Sequence, residues 1–137
     1  MEPLAGQLAQ SDAGIRVRWD ERVRSGDVDP DLPYVAMGTL ATLLVDAVTD
    51  EPAIDLSNLF RDLERRLTEA LPATRNLLIA GFLEDLQNLS LNRGMPLASW
   101  RRWLGPTTGE AWSMIEGMWS GSISPEQFNY YVDRPSG

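Results

Sequence analysis

The stretch RNLLIAGFLEDLQNL, residues 75–89, cannot sit on a protein surface. Drawn as a helix, it spreads Leu77, Leu78, Ile79, Phe82, Leu83, Leu86 and Leu89 over well over half of the circumference. A helix that apolar is stable only when neighbours touch it on several sides. The spacing therefore predicts a central helix over about 73–90, opened by Pro72 at its first position. Gly81 in mid-helix costs about 0.5–1 kcal/mol relative to alanine, and close approach of another helix is the usual reason to keep it.

The rest of the chain supplies the neighbours. Met37, Leu40, Leu44 and Val48 recur at helical spacing over about 32–49, with Asp31 placed to cap that helix and Pro33 in its first turn. Leu56, Leu59, Phe60, Leu63 and Leu67 form the stripe of a second helix over about 56–70, and charged residues cover its other face. NRGMP at 92–96 is a stop, with Gly94 as the capping glycine. Short helices follow over about 97–104, carrying Trp100 and Trp103 inward, and about 108–119, opened by the capping box Thr107-x-x-Glu110. Ser124-Pro125-Glu126-Gln127 repeats that signature before Phe128, Tyr130 and Tyr131.

Residues 1–14 read as a flexible leader. Ile15, Val17 and Trp19 then alternate with Arg16, Arg18 and Asp20, so residues 15–23 read as a strand or extended arm. At 137 residues the chain is one domain's worth. The expected fold is all-α: a single-domain bundle of four to five helices over 31–131, an N-terminal arm over 1–30 and a tail over 132–137. With no secretory signal at the start and no apolar run near the roughly 18 residues of a membrane span, cytoplasmic location is expected, with no membrane partner.

Composition then closes off most chemistry. The chain has no cysteine and no histidine, and all 12 of its basic residues are arginine. Thiolate catalysis, cysteine metal sites, disulfides and the usual general base are all absent. Glu84 and Asp85 are neighbours on a helix, so their side chains leave it about 100° apart and cannot converge on one substrate. Asp85 falls on the exposed arc with Gln87 and Asn88. Glu84 falls nearer the apolar flank, where Arg75, Arg101 or Arg102 could pair with it; Arg75, Asn76 and Glu84 are assigned structural roles. DVDPDL at 27–32 opens like a calcium loop but has Leu32 where the loop needs glycine and Gly38 where it needs glutamate. SWRRWLG at 99–105 interleaves arginine with tryptophan, yet Trp100 and Trp103 are spaced to face inward, so no nucleic acid is expected. No catalytic, cofactor or metal-ligating residue is assigned, and the chain is expected not to be an enzyme.

What remains is charge. The net charge is −8, and residues 1–55 hold 11 acids against four arginines. An acidic third of this kind repels nucleic acid, and it either only keeps the protein soluble or also attracts a basic protein. Asp27, Asp29, Asp31, Asp46, Asp50 and Glu51 flank the first long helix, and Tyr130 and Tyr131 could add aromatic anchors; these eight are the candidate partner-binding residues.

The block LFRDLERRLTEALPATRNLLIAGFLEDLQNL, followed by WRRWLGP, resembles small bacterial helical domains of unknown biochemical function. The matching positions are Leu63-Glu64, Arg75-Asn76-Leu77, Gly81-Phe82-Leu83-Glu84 and Leu104-Gly105-Pro106, with Thr74 where the pattern prefers valine. The similarity covers roughly residues 59–106. Some of those domains are predicted immunity proteins of polymorphic-toxin and contact-dependent-inhibition systems. The resemblance implies a protein that binds a toxin domain, often a basic one, and neutralises it without catalysis. The alternatives are a helical regulatory or adaptor domain unrelated to toxins and, behind it, a carboxylate-dependent hydrolase.

Overall fold

The computed structural model describes residues 3–29 and 31–133. Its elements in chain order are α1 (Leu4–Ala9), α2 (Ala13–Arg24), α3 (Pro33–Asp50), α4 (Ser57–Glu69), α5 (Pro72–Asn76), a π-helical segment (Leu77–Leu83), α6 (Glu84–Asn92), a 3-10 segment (Leu97–Trp103), α7 (Pro106–Ser120) and α8 (Pro125–Asp133). Among the described residues there is no strand, and the fold is an all-α bundle. None of these helices is long and apolar enough to cross a membrane.

The N-terminal arm is not an arm. Residues 4–9 form α1, whose Ala5, Leu8 and Ala9 are buried against α3 and α4. Residues 13–24 form α2 rather than a strand. Of the alternating residues only Ile15 and Trp19 are buried, one helical turn apart, while Val17 is 62% exposed. The period-2 pattern came from counting Val17 as an inward residue. Asp12 starts the helix in extended conformation, accepting a 2.9 Å hydrogen bond from the Ile15 amide. The domain therefore runs from α1 through α8, which includes the buried Val132 as well as Asp133; the remaining tail, 134–137, lies outside the described residues.

At the centre, α5, the π-helical segment and α6 form one continuous helix, since the backbone at both junctions, Asn76 and Glu84, is right-handed helical. α3 lies along it, α8 packs on α5, and α7 and the 3-10 segment also touch it, while α1 and α2 pack on α3 and α4 packs on α1 and α7. Phe82, Leu78, Ile79, Leu83 and Leu86 are all fully buried. Inside the bundle Trp19, Phe60, Trp100 and Trp112 fill the remaining space. Trp100 donates from Nε1 to Ser90 Oγ at 2.9 Å, so its polar edge is satisfied in the core.

Two helix starts depart from the expected caps. Asp31 does not cap α3: the N-cap is Leu32, without a side-chain bond, and Asp29 Oδ1 instead accepts from the Asp31 amide at 2.9 Å. α7 begins at Gly105-Pro106 rather than at a Thr107–Glu110 box. Its cap arrives from another helix: Glu64 of α4 accepts from the amides of Thr107 (2.9 Å) and Thr108 (2.8 Å). Gly105 makes room, because a Cβ there would lie 2.6 Å from Glu64 Oε1. The Ser124 box forms as its spacing indicates, with Ser124 and Gln127 each accepting from the other's amide.

Burial alone would raise the Glu64 pKa, but the hydrogen bonds from Thr108 and Thr107 outweigh it and the carboxyl lies below its ordinary 4.5. A depressed folded pKa means that the stabilisation is present above pH 4.5 and fades as pH falls through the folded value. Glu64→Ala should cost about 1–2 kcal/mol at pH 7, the scale of a lost helix cap. Urea unfolding at pH 7 and pH 3 should show the deficit shrinking in acid. An undiminished deficit at pH 3 would show that lost packing, not the charged cap, causes it.

Candidate functional site

After α2 the chain reverses at Gly26, whose φ of 78° suits glycine. It then runs through exposed Asp27, Asp29 and Asp31 into the first turn of α3. Among the described residues that turn is only half covered: Leu32, Tyr34 and Val35 are 48%, 49% and 57% exposed. Tyr34 is nevertheless held in place. Its hydroxyl donates to Asn76 Oδ1 at 2.9 Å, and its ring lies on Gly81, where a Cβ would come within 3.0 Å of Tyr34 Cδ1. The approach expected at Gly81 is thus made by a side chain of α3.

Tyr34 is shared by two grooves. One, of about 550 Å³, lies between Pro33, Pro72, Asn76, Leu77 and Asp133. The other, of about 540 Å³, runs between α3 and α6 and is lined by Arg22, Val35, Gly38, Thr39, Thr42, Asp85, Asn88 and Leu89. The ring therefore stands as a ridge with a hollow on either side.

The predicted acids do not form one face. Asp27, Asp29 and Asp31 stay together, but Asp46, Asp50 and Glu51 belong to the other half of α3, a helix of 18 residues, which at 1.5 Å per residue is about 27 Å long. Asp46 is ion-paired with Arg93, and Asp50 with Arg18 at 3.2 Å, so part of their charge is compensated. Glu51 is exposed at the end of α3. Asp27 does return towards Asp46, and both line a smaller groove with Arg18, Glu21 and Arg22. Tyr130 is 80% exposed on α8, whereas Tyr131 is 6% exposed and packs in the core. Tyr131 is thereby withdrawn from any binding surface.

Arg75 meets both the backbone carbonyl and the ring of Tyr131. Only 3% exposed, Arg75 donates from Nε (3.3 Å) and Nη2 (3.2 Å) to the Tyr131 carbonyl in the last turn of α8. Its guanidinium lies 4.6 Å from the centroid of the Tyr131 ring. Burial raises the Tyr131 pKa against the opposing influence of Arg75.

Glu84 pairs with none of Arg75, Arg101 and Arg102. Arg75 is bound to α8, Arg101 pairs with Glu116, and Arg102 lies 4.0 Å over the Trp103 ring. Among the described residues Glu84 has no ion-pair partner; burial, and then the charge of Asp85, raise its pKa. Burial also raises that of Asp85. Gln87, expected on the exposed arc, is fully buried and donates to the Trp112 carbonyl at 3.0 Å. At 3.6 residues per turn Gln87 stands about 200° around the helix from Asp85 and one turn from the buried Leu83 and Ser90, so it belongs to the inward face and not to the arc of Asp85 and Asn88.

Elsewhere the tempting chemistry is occupied. The Trp103 ring stacks on Phe60 at 5.8 Å and carries Arg102, so a base would have to displace one of them to stack there. Among the described residues no three acidic side chains are grouped to hold a metal ion. The residues that sequence reasoning missed are Leu32, Tyr34 and Val35. Tyr34 stands one turn before Met37 and reads as an extension of the apolar stripe of α3, and only the packing shows that the stripe is uncovered at that end.

No curated protein matches the chain, and no solved structure does. A family description, Domain of unknown function (DUF7674), matches residues 5–120, from α1 to the last residue of α7. The match extends well beyond residues 59–106 and takes in the acidic N-terminal third with the Tyr34 ridge. The chain therefore belongs to this family of domains of unknown function, DUF7674.

Proposed function

We propose that the chain is a non-enzymatic protein-binding domain serving as a cytoplasmic bacterial immunity protein, which binds a cognate toxin domain and covers or distorts its active site. The observation that carries this reading is Tyr34: half exposed, fixed by Asn76 and Gly81, and preceded by the exposed acids Asp27, Asp29 and Asp31. A rigid aromatic loses little freedom on binding and is a frequent energetic anchor of interfaces. Adjacent carboxylates add speed and selectivity for a basic partner.

The test is to look for a toxin-domain gene beside this one and to measure binding to its product. Tyr34→Ala should raise Kd by about 30-fold or more, mainly through faster dissociation. Replacing Asp27, Asp29 and Asp31 together by asparagine should slow association at low salt and flatten its salt dependence. A toxin domain that neither binds nor loses activity would sink the proposal. Capture of a non-toxin partner by the same face would replace it with the adaptor reading.

A further inference from the structure

From the groove between α3 and α6 we infer a socket for an arginine side chain of the protein partner. The inference rests on the protein-binding reading for the identity of the occupant, and on the groove itself for the chemistry. Asp85 lines the groove with no ion pair or hydrogen bond among the described residues. Gly38 opposite leaves it uncovered, since a Cβ there would stand 3.1 Å from Asp85 Oδ2. Partial burial raises the cost of the unpaired charge, which a cation entering the groove would relieve.

The other walls select among cations. Thr39 and Thr42 use their hydroxyl hydrogens within α3, donating to the carbonyls of Val35 (3.2 Å) and Gly38 (2.9 Å). What they turn outward are lone pairs, which accept. Asn88 brings a further side-chain acceptor, and Tyr34 brings an aromatic ring. A carboxylate, several neutral acceptors and an aromatic wall match the planar guanidinium, with its five donors, better than the compact ammonium of lysine. The volume of about 540 Å³ lies within the roughly 300–1,000 Å³ typical of ligand sites. Arg22 lines the same groove and also the one beside it, together with Arg18, Glu21, Asp27 and Asp46.

The groove can be read without the partner. Titrating the full isotope-labelled chain with N-acetyl-arginine amide should shift the amide signals of Gly38, Thr39, Thr42, Asp85 and Asn88, with a Kd on the order of millimolar. The response should vanish in Asp85→Asn, persist in Asp31→Asn and be several-fold weaker with N-acetyl-lysine amide. No response, an unchanged response in Asp85→Asn, or an equal response to the lysine amide overturns the socket. A response seen only in Arg22→Gln also overturns it, because the chain's own Arg22 would then fill the groove. With a bound toxin domain, Asp85→Asn should raise Kd by about 30-fold or more. If toxin binding survives that change while Tyr34→Ala abolishes it, the socket fails and the interface stands.

Discussion

Phe82→Ala should destabilise the domain by about 3–5 kcal/mol, the range for deleting a buried aromatic side chain. Phe82 is fully buried in the π-helical segment, where α3 packs most closely on the central helix. Truncation leaves a cavity that the surrounding helices cannot collapse into without moving, because each is held by contacts on other sides. Asp85→Asn, three residues away and only partly buried, should leave stability within about 0.5 kcal/mol of the parent or raise it. Chemical denaturation of both variants checks the pair. A larger loss in Asp85→Asn would mean that the central helix faces the other way.

Arg75→Met should cost about 2–4 kcal/mol and loosen α8 before the rest of the bundle. The substitution keeps an apolar stem but removes two donors from the Tyr131 carbonyl, and an orphaned buried acceptor costs about 1–3 kcal/mol. The lost cation–π contact adds about 0.5–2 kcal/mol. α8 is a short helix docked mainly on α5 and α7, so it depends heavily on this one tie. Amide hydrogen exchange should rise across residues 125–133 while α3 and α6 keep their protection. Unchanged exchange in α8 would show that Phe128 and Val132 hold it without Arg75.

The helical class, the central position of residues 75–89 and the stripes of α3 and α4 were legible because each rests on local spacing. Apolar residues every three or four positions bury one face whatever the neighbours are. The Ser124 box was legible for the same reason, as its two hydrogen bonds close within four residues. α2 was legible in part: Asp12 marks its start, but a 12-residue helix burying only Ile15 and Trp19 carries too weak a stripe to outvote an accidental alternation.

Tertiary packing decided the rest. Glu64 caps a helix that begins 42 residues after it, and Arg75 binds a carbonyl 56 residues away; nothing local encodes either partner. Gln87 went inward with the buried Leu83 and Ser90, one turn before and after it, and its acceptor, the Trp112 carbonyl, lies 25 residues away. Tyr131 went inside and Tyr34 stayed outside for a similar reason. Both are aromatic residues on partly apolar helices, and exposure depends on which end of the helix a neighbour covers. Composition determined that the chain has no thiol, no imidazole and an excess of carboxylates. Only the folded arrangement determined which carboxylates are paired, as Asp46 and Asp50 are, and which, like Asp85, line a groove with no ion pair among the described residues.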